Sequence, residues 1–307
     1  MSRSWFAFAL IQPHWVMPVD IPLPYRFSDQ VSLRAVPHCA QVPDVVDGLR
    51  EQLSERIAAD GSHHCITVEY QANENESPPS QGPGPVQNWS AHDVAEQQAR
   101  LAHLVLWLIR PTALTFTTIV LAEKRDPEWI TRAINSYSPT YALSQNTRNK
   151  FSSEDLVVAS KTIEALNSIS FQGPIRTAVL VATRVLCDET LEFRLLIIWL
   201  AMECLFGPED GREITFRLAQ RVALFLESDR AKAIEVFKMV KDCYGLRSKL
   251  VHGFRAANIK DEKFMKFSLN SETLLRRSLL TILDTAITIQ NFDGPTREAY
   301  LEGLVFK

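Results

Sequence analysis

The sequence predicts an α+β N-terminal domain over residues 1–150 followed by an all-α helical domain over residues 151–307. Three observations carry that division. Up to about residue 125, short runs rich in β-branched and aromatic residues alternate with helical periodicity. A polar bridge containing Asn and Ser then leads to Phe151. From Ser152, which lies three residues before Asp155 as at a helix N-terminus, apolar spacing stays helical almost to the end.

In the first domain, Trp5 to Ile11, Val31 to Val36, Ile66 to Tyr70 and Leu114 to Leu121 read as strands bounded by Pro and polar clusters. Asp44 to Ala59 places Val45, Val46, Leu49, Leu53 and Ile57 on one helical face, and a second helix is expected from His92 to Ile109. Residues 73–88 hold four prolines and two glycines, so a mobile surface loop is expected there. In the second domain helices are expected over 153–170, 175–188, 190–205, 212–227, 229–252 and 271–290. In the fourth of these, Ile214, Leu218, Val222 and Leu226 form the packed stripe, leaving Arg212, Arg217 and Arg221 on a wet face.

Composition narrows the function classes. A formal charge of −3 excludes a chain coated with positive charge for nucleic acid, so any such site is local. Five scattered cysteines lack zinc-ribbon spacing and fit a reducing, cytosolic (cytoplasmic) setting. The apolar stretch Trp5–Ile11 ends at Gln12-Pro13-His14 with no small-residue cleavage site, so it is not read as a signal peptide. The longest apolar run, Leu195–Met202, is far below the ~20 residues a membrane helix needs, and no membrane partner is expected.

One segment has a strong local charge imbalance. Between Val236 and Lys260 lie Lys238, Lys241, Arg247, Lys249, Arg255 and Lys260, against the single acid Asp242. Lys238, Lys241 and Arg255 are therefore candidate RNA phosphate contacts. Inside the segment, Arg247, Ser248 and His252 form a candidate catalytic set, with Glu203 and Lys249 as supporting residues. His252 would move a proton to or from the ribose 2′-hydroxyl or the leaving oxygen, and Arg247 would stabilise charge on the phosphorane. Ser248 would hold the imidazole or touch a phosphate oxygen. Arg247 and His252 are five residues apart, which on a helix is an offset of about 140°, so one chain cannot present them side by side.

The apolar helix Leu195 to Phe206 with its internal Glu203, then Ile214-Thr215-Phe216-Arg217-Leu218-Ala219, then Tyr244 to Gly253, resembles the HEPN superfamily, and more narrowly the HEPN domains of ApeA-like prokaryotic proteins. The resemblance covers roughly residues 153–290, and Arg247 to Gly253 is its specific core. It implies a HEPN-like helical bundle that forms a homodimer and cleaves RNA as a metal-independent endoribonuclease, with no cofactor. Arg247 and His252 would be the site residues, assembled where two protomers meet. It also implies a toxin or phage-defence role, with an inhibitor or trigger protein meeting the N-terminal domain. The alternative is a non-catalytic HEPN module that dimerises or binds RNA. Two positions depart from the family: Ser248 stands where nuclease members carry Asn, Asp or His, and Phe254 stands where an antitoxin-paired branch carries a modifiable Tyr.

Plainer readings remain open. His252 followed by Gly253 is also how a helix ends. Glu203 in an apolar helix needs a cation, and Arg247 and Arg217 are both candidates. His38-Cys39 and His63-His64-Cys65 match no structural zinc spacing, so no metal site is expected. Cys187 and Cys204 lie in apolar helices and read as inert core residues.

Overall fold

The computed structural model describes residues 2–11, 24–35, 64–73, 90–110, 116–125, 128–136, 151–169, 173–186, 190–252 and 261–306. An antiparallel sheet comes first and mostly helices follow. The chain divides into two compact units, Met1–Ala142 with Asn146–Ile163, and Leu143–Gln145 with Glu164–Lys307.

The first unit is built on strands β1 (Ser2–Ile11), β2 (Tyr25–Arg26), β3 (Val31–Ala35), β4 (His64–Asn73), β5 (Phe116–Arg125) and β6 (Glu128–Ser136). They pair in the order β2-β3-β4-β1-β5-β6, every neighbour antiparallel. β1 is central and buried on both faces, which is why it reads as an uninterrupted apolar run. Trp5, Ala7 and Ala9 share one face with Tyr70, Val68 and Ile66, while Phe6 and Phe8 cluster with Cys65, Val120 and Ala122 on the other. Helix α1 (Ala91–Ile109) packs on the first face, where the Tyr70 hydroxyl lies 2.7 Å from His92 Nδ1.

Capping explains where α1 starts. Ser90 and Asp93 form a reciprocal capping box, satisfying two backbone donors that a helix N-terminus would otherwise leave open. The expected signal at Ser152 acts the same way in α2 (Ser153–Asn167): Ser152 N–H donates to Asp155 at 2.8 Å, and Asp155 N–H donates to Ser152 Oγ at 3.2 Å. Arg110 Nε also donates to Asp155 at 2.7 Å. Burial pushes the Asp155 carboxyl up, but Arg110 and Ser152 outweigh it and hold it below its ordinary value.

Several expectations change here. The bridge expected before Phe151 contains a strand, β6, which is an edge strand paired with β5 alone. β5 begins at Phe116 and runs four residues past the expected end. The helix expected over Asp44–Ala59 and residues 74–88 of the expected loop lie outside the described residues.

The second unit stacks α3 (Pro174–Val185) on α4 (Leu191–Phe206), and α5 (Ile214–Leu226) on α6 (Arg230–Val251). It continues with α7 (Asp261–Leu283), α8 (Ala286–Asp293) and α9 (Arg297–Gly303), closed by a 3-10 turn over Leu304–Phe306. The helix expected over 271–290 is thus two: α7 begins ten residues earlier, and the chain breaks at Asp284 and Thr285, where the Thr285 hydroxyl caps α8 by accepting from Thr288 N–H at 3.1 Å. α4 is the hub. Trp199 is fully buried and donates its indole N–H to Ser271 Oγ on α7 at 3.1 Å, and Arg194 meets Glu272 on α7 at 2.9 Å.

Of the three arginines expected on a wet face, Arg212 is exposed and Arg217 half-buried, but Arg221 is not in water. Arg221 is 2% exposed and donates to the Phe206 carbonyl at 3.2 Å, while Arg297 donates to the carbonyls of Leu205 and Gly207. Two buried guanidiniums therefore satisfy carbonyls at the end of α4, which the helix itself leaves unpaired. The Arg221 charge is balanced from α9, where Glu298 pairs with Arg221 and with Arg217, while Arg297 lies 3.7 Å from Glu209. Burial pushes the Glu298 carboxyl up, but the Arg221 hydrogen bond and the charges of Arg221, Arg217 and Arg297 hold it below its ordinary value. A carboxyl depressed in the folded state stabilises the fold fully above its unfolded pKa and loses that contribution as pH falls through the folded value. Glu298→Gln should therefore lower the urea midpoint at pH 7, and its gap from the parent should shrink as pH falls below the ordinary carboxylate range. A gap that persists undiminished at low pH would contradict this reading.

Candidate functional site

Helix α6 carries most of the candidate residues, and its packing sorts them onto opposite sides. Asp229 caps its start, accepting from Lys232 N–H at 2.9 Å. Val236, Val240, Cys243 and Tyr244 are buried and define the inner face. At 100° per residue Arg247 falls on that inner face, about 180° from Lys238. Lys238, Lys241, Lys249 and His252 lie on the solvent face, all of them exposed. The helix stays continuous to Val251, and His252 is its C-cap, with its backbone N–H donating to Ser248 O at 3.2 Å.

Arg247 reaches α4. Its Nη2 lies 2.9 Å from Glu203 Oε1, with the two side chains 23% and 24% exposed. Neither that oxygen nor Arg247 Nε makes an aligned hydrogen bond, so the contact is a charge pair in which the guanidinium keeps unspent donors. Of the two cations open to Glu203, Arg247 is the one it meets; Arg217 is taken by Asp210, Glu298 and Glu302.

Tyr244 completes this cluster, and it carried no role in the sequence reading. The Arg247 guanidinium sits over its ring at 5.3 Å, and Trp199 meets the ring edge to face at 5.4 Å. Burial, a hydrogen bond with Glu203 and that carboxylate's charge push the Tyr244 phenol up to about 12. The phenol is thus neutral at physiological pH and positions Glu203 and Arg247. The available signal was the three-residue spacing of Tyr244 and Arg247, which stacks them on one helical face.

Within one chain the structure brings Arg247, Glu203 and Tyr244 together and leaves His252 elsewhere on α6. Ser248 is half-buried on the same helix, and Lys249 is exposed beside it. Arg255 lies outside the described residues, as do His38, Cys39, His63 and Cys187. Cys65 is buried in the sheet, and among the described residues no three His, Cys, Asp or Glu side chains gather as a metal would require. Cys204 is half-buried, its thiol pushed up by burial and by Glu203, while burial takes the Cys243 thiol to about 12, so neither is a ready thiolate.

One face of α4 is apolar and open. Phe193 is 59% and Leu200 47% exposed, and the half-buried Ile197 and Cys204 fall on the same side of the helix. No helix among the described residues is long and apolar enough to cross a membrane. Comparison of the chain with protein-family models, with curated proteins and with solved structures gives no match in any of the three.

Proposed function

We propose that this chain is a HEPN-type, metal-independent endoribonuclease that acts as a homodimer, with each site drawing Arg247 from one protomer and His252 from its partner copy. The observation that carries the reading is the division of α6: an arginine held by Glu203 on one side, and an exposed histidine on a lysine-bearing face about 140° away. One copy cannot converge the two groups on a phosphate, whereas a two-fold pairing can. The open apolar face of α4 supports a second copy, because an apolar helix face left in water is unfavourable. A role as a toxin or phage-defence effector, in the cytoplasm, belongs to the same proposal.

The chemistry needs no metal. His252 would take the 2′-hydroxyl proton or supply one to the leaving 5′-oxygen, and the Arg247 guanidinium would stabilise the charge that builds on the phosphorus-bound oxygens. Ser248, on the same turn of α6, would orient the imidazole or contact a phosphate oxygen. Incubation of the purified protein with total RNA in EDTA tests this: cleavage is expected, and RNA left intact by a folded, dimeric preparation would overturn it.

RNA affinity should depend on the exposed lysines of α6. Replacing Lys238, Lys241 and Lys249 together by Ala should weaken binding and reduce the slope of log K against log salt by up to ~2, because fewer counterions are released. An unchanged slope would place the RNA surface elsewhere. A second reading, a non-catalytic RNA-binding or dimerisation module, is favoured by one observation: Glu203 already neutralises Arg247 within the chain.

A further inference from the structure

The solvent side of the α5–α6 pair carries an aromatic feature that the cleavage chemistry does not use. Phe216 on α5 is 49% exposed and meets Phe237 of α6 edge to face, with ring centroids 5.5 Å apart at 76°. Lys241, one turn further along α6, holds its ammonium 5.5 Å from the Phe237 centroid. A single exposed phenyl is common on protein surfaces, so exposure alone decides nothing. The surroundings decide. Phe237, Lys238, Lys241, Gly245, Lys249 and His252 fall within a ~120° arc of α6 that spans ~22 Å of helix. A Cβ added at Gly245 would meet nothing within 4 Å, so a ligand can come close to the backbone midway along this arc.

Charge points to a polyanion rather than a protein helix. The acids Glu235 and Asp242 lie outside the arc, on the flank toward α7, where Asp242 lines a cleft with Glu262, Lys263 and Lys266. The arc itself carries only lysines, Gly245, Ser248 and His252 beyond its aromatic and aliphatic end at Phe237 and Ile234. An open ring beside a row of cations matches the two requirements of single-stranded nucleic acid, a flat surface for a base and positive charge for the backbone. The bases of an A-form duplex are stacked inside and cannot use such a ring.

We infer that Phe216, buttressed by Phe237 and flanked by Lys241, is a base-stacking platform for single-stranded RNA at the far end of the lysine track that leads along α6 to His252. This inference rests on the RNA-directed reading above and adds to it a strand-state preference and a contact remote from the reacting groups.

The test is equilibrium binding of a fluorescein-labelled single-stranded oligoribonucleotide, and of the same sequence as a duplex, to the full chain in a His252→Ala background that leaves the probe intact. Phe216→Ala should weaken single-strand binding about 5- to 100-fold, and Phe216→Leu, which keeps apolar bulk but loses the flat ring, should weaken it similarly. Phe216→Trp should bind as tightly as the parent or tighter. Duplex affinity should not change in any of the three. Unchanged single-strand binding by Phe216→Ala overturns the inference, and if the triple lysine variant still weakens binding, the RNA reading survives without it. Equal losses for single strand and duplex also overturn it. A change in molar mass with Phe216→Ala in light scattering would assign the ring to a protein interface instead. Failure of the parent chain to bind any RNA overturns both readings together.

Discussion

His252→Ala is expected to lower RNA cleavage by about 10²–10⁴-fold, the usual worth of a positioned general acid or base, while the thermal midpoint stays where it is. The second half of that expectation comes from the structure. His252 is exposed at the C-cap of α6, and its hydrogen bond to Ser248 O is made by the backbone, which alanine retains. Arg247→Ala should also remove activity, but it frees Glu203 from its ion pair and so lowers stability as well. That cost should be smaller than the ~3–5 kcal/mol of breaking a fully buried pair, because both side chains keep about a quarter of their surface in water. Products should carry 2′,3′-cyclic phosphate and 5′-hydroxyl ends, since the proposed nucleophile is the RNA's own 2′-hydroxyl, and DNA should be untouched. Cleavage that survives His252→Ala would remove the histidine from the mechanism.

The largest stability effect is expected at Glu272. Its carboxylate meets Arg194 at 2.9 Å with the two side chains 4% and 2% exposed, so this pair between α4 and α7 is shielded from water. Burial pushes the Glu272 carboxyl up against the opposing charges of Arg194 and Arg276, and it pushes the Arg276 guanidinium down to about 10. Both shifts report the cost of holding charge in the interior. Glu272→Ala would take the carboxylate from two guanidiniums and cost about 3–5 kcal/mol, read as a lower urea midpoint with unchanged m-value. The double change Arg194→Met with Glu272→Leu should recover only part of that loss, because it removes the Arg194 guanidinium along with the carboxylate but still takes the Glu272 charge away from the buried Arg276. If Glu272→Ala unfolds at the parent's midpoint, the pair contributes nothing.

What the sequence made legible was whatever depends on local chemistry. The Ser152–Asp155 cap is visible because its partners are three residues apart, and Trp5–Ile11 is visible as a strand because a central strand must be apolar on both faces. β6 was hidden because an edge strand has only one partner, and its apolar residues sit beside Arg132, Asn135 and Ser136, which read as a polar bridge. Arg221 was misread for a different reason. Helical periodicity places it off the apolar stripe, and only the tertiary fold brings the end of α4 and Glu298 to meet it. In the site, the Glu203–Arg247 pairing was among the readings of the sequence; the three-residue spacing of Tyr244 and Arg247 signals their stacking, whereas the contacts of Tyr244 with Trp199 and of Phe216 with Phe237 join different helices and no local spacing reveals them.

The composite site is tested most directly by mixing two inactive variants. Arg247→Ala and His252→Ala, each purified alone, are combined, allowed to exchange subunits and assayed on RNA in EDTA. If each site takes its arginine and histidine from different copies, half the dimers are mixed and half the sites in those are intact, so activity should return to about a quarter of the parent's. A mixture no more active than either variant alone, with exchange confirmed by the mass of differently tagged subunits, would contradict a site shared between two copies.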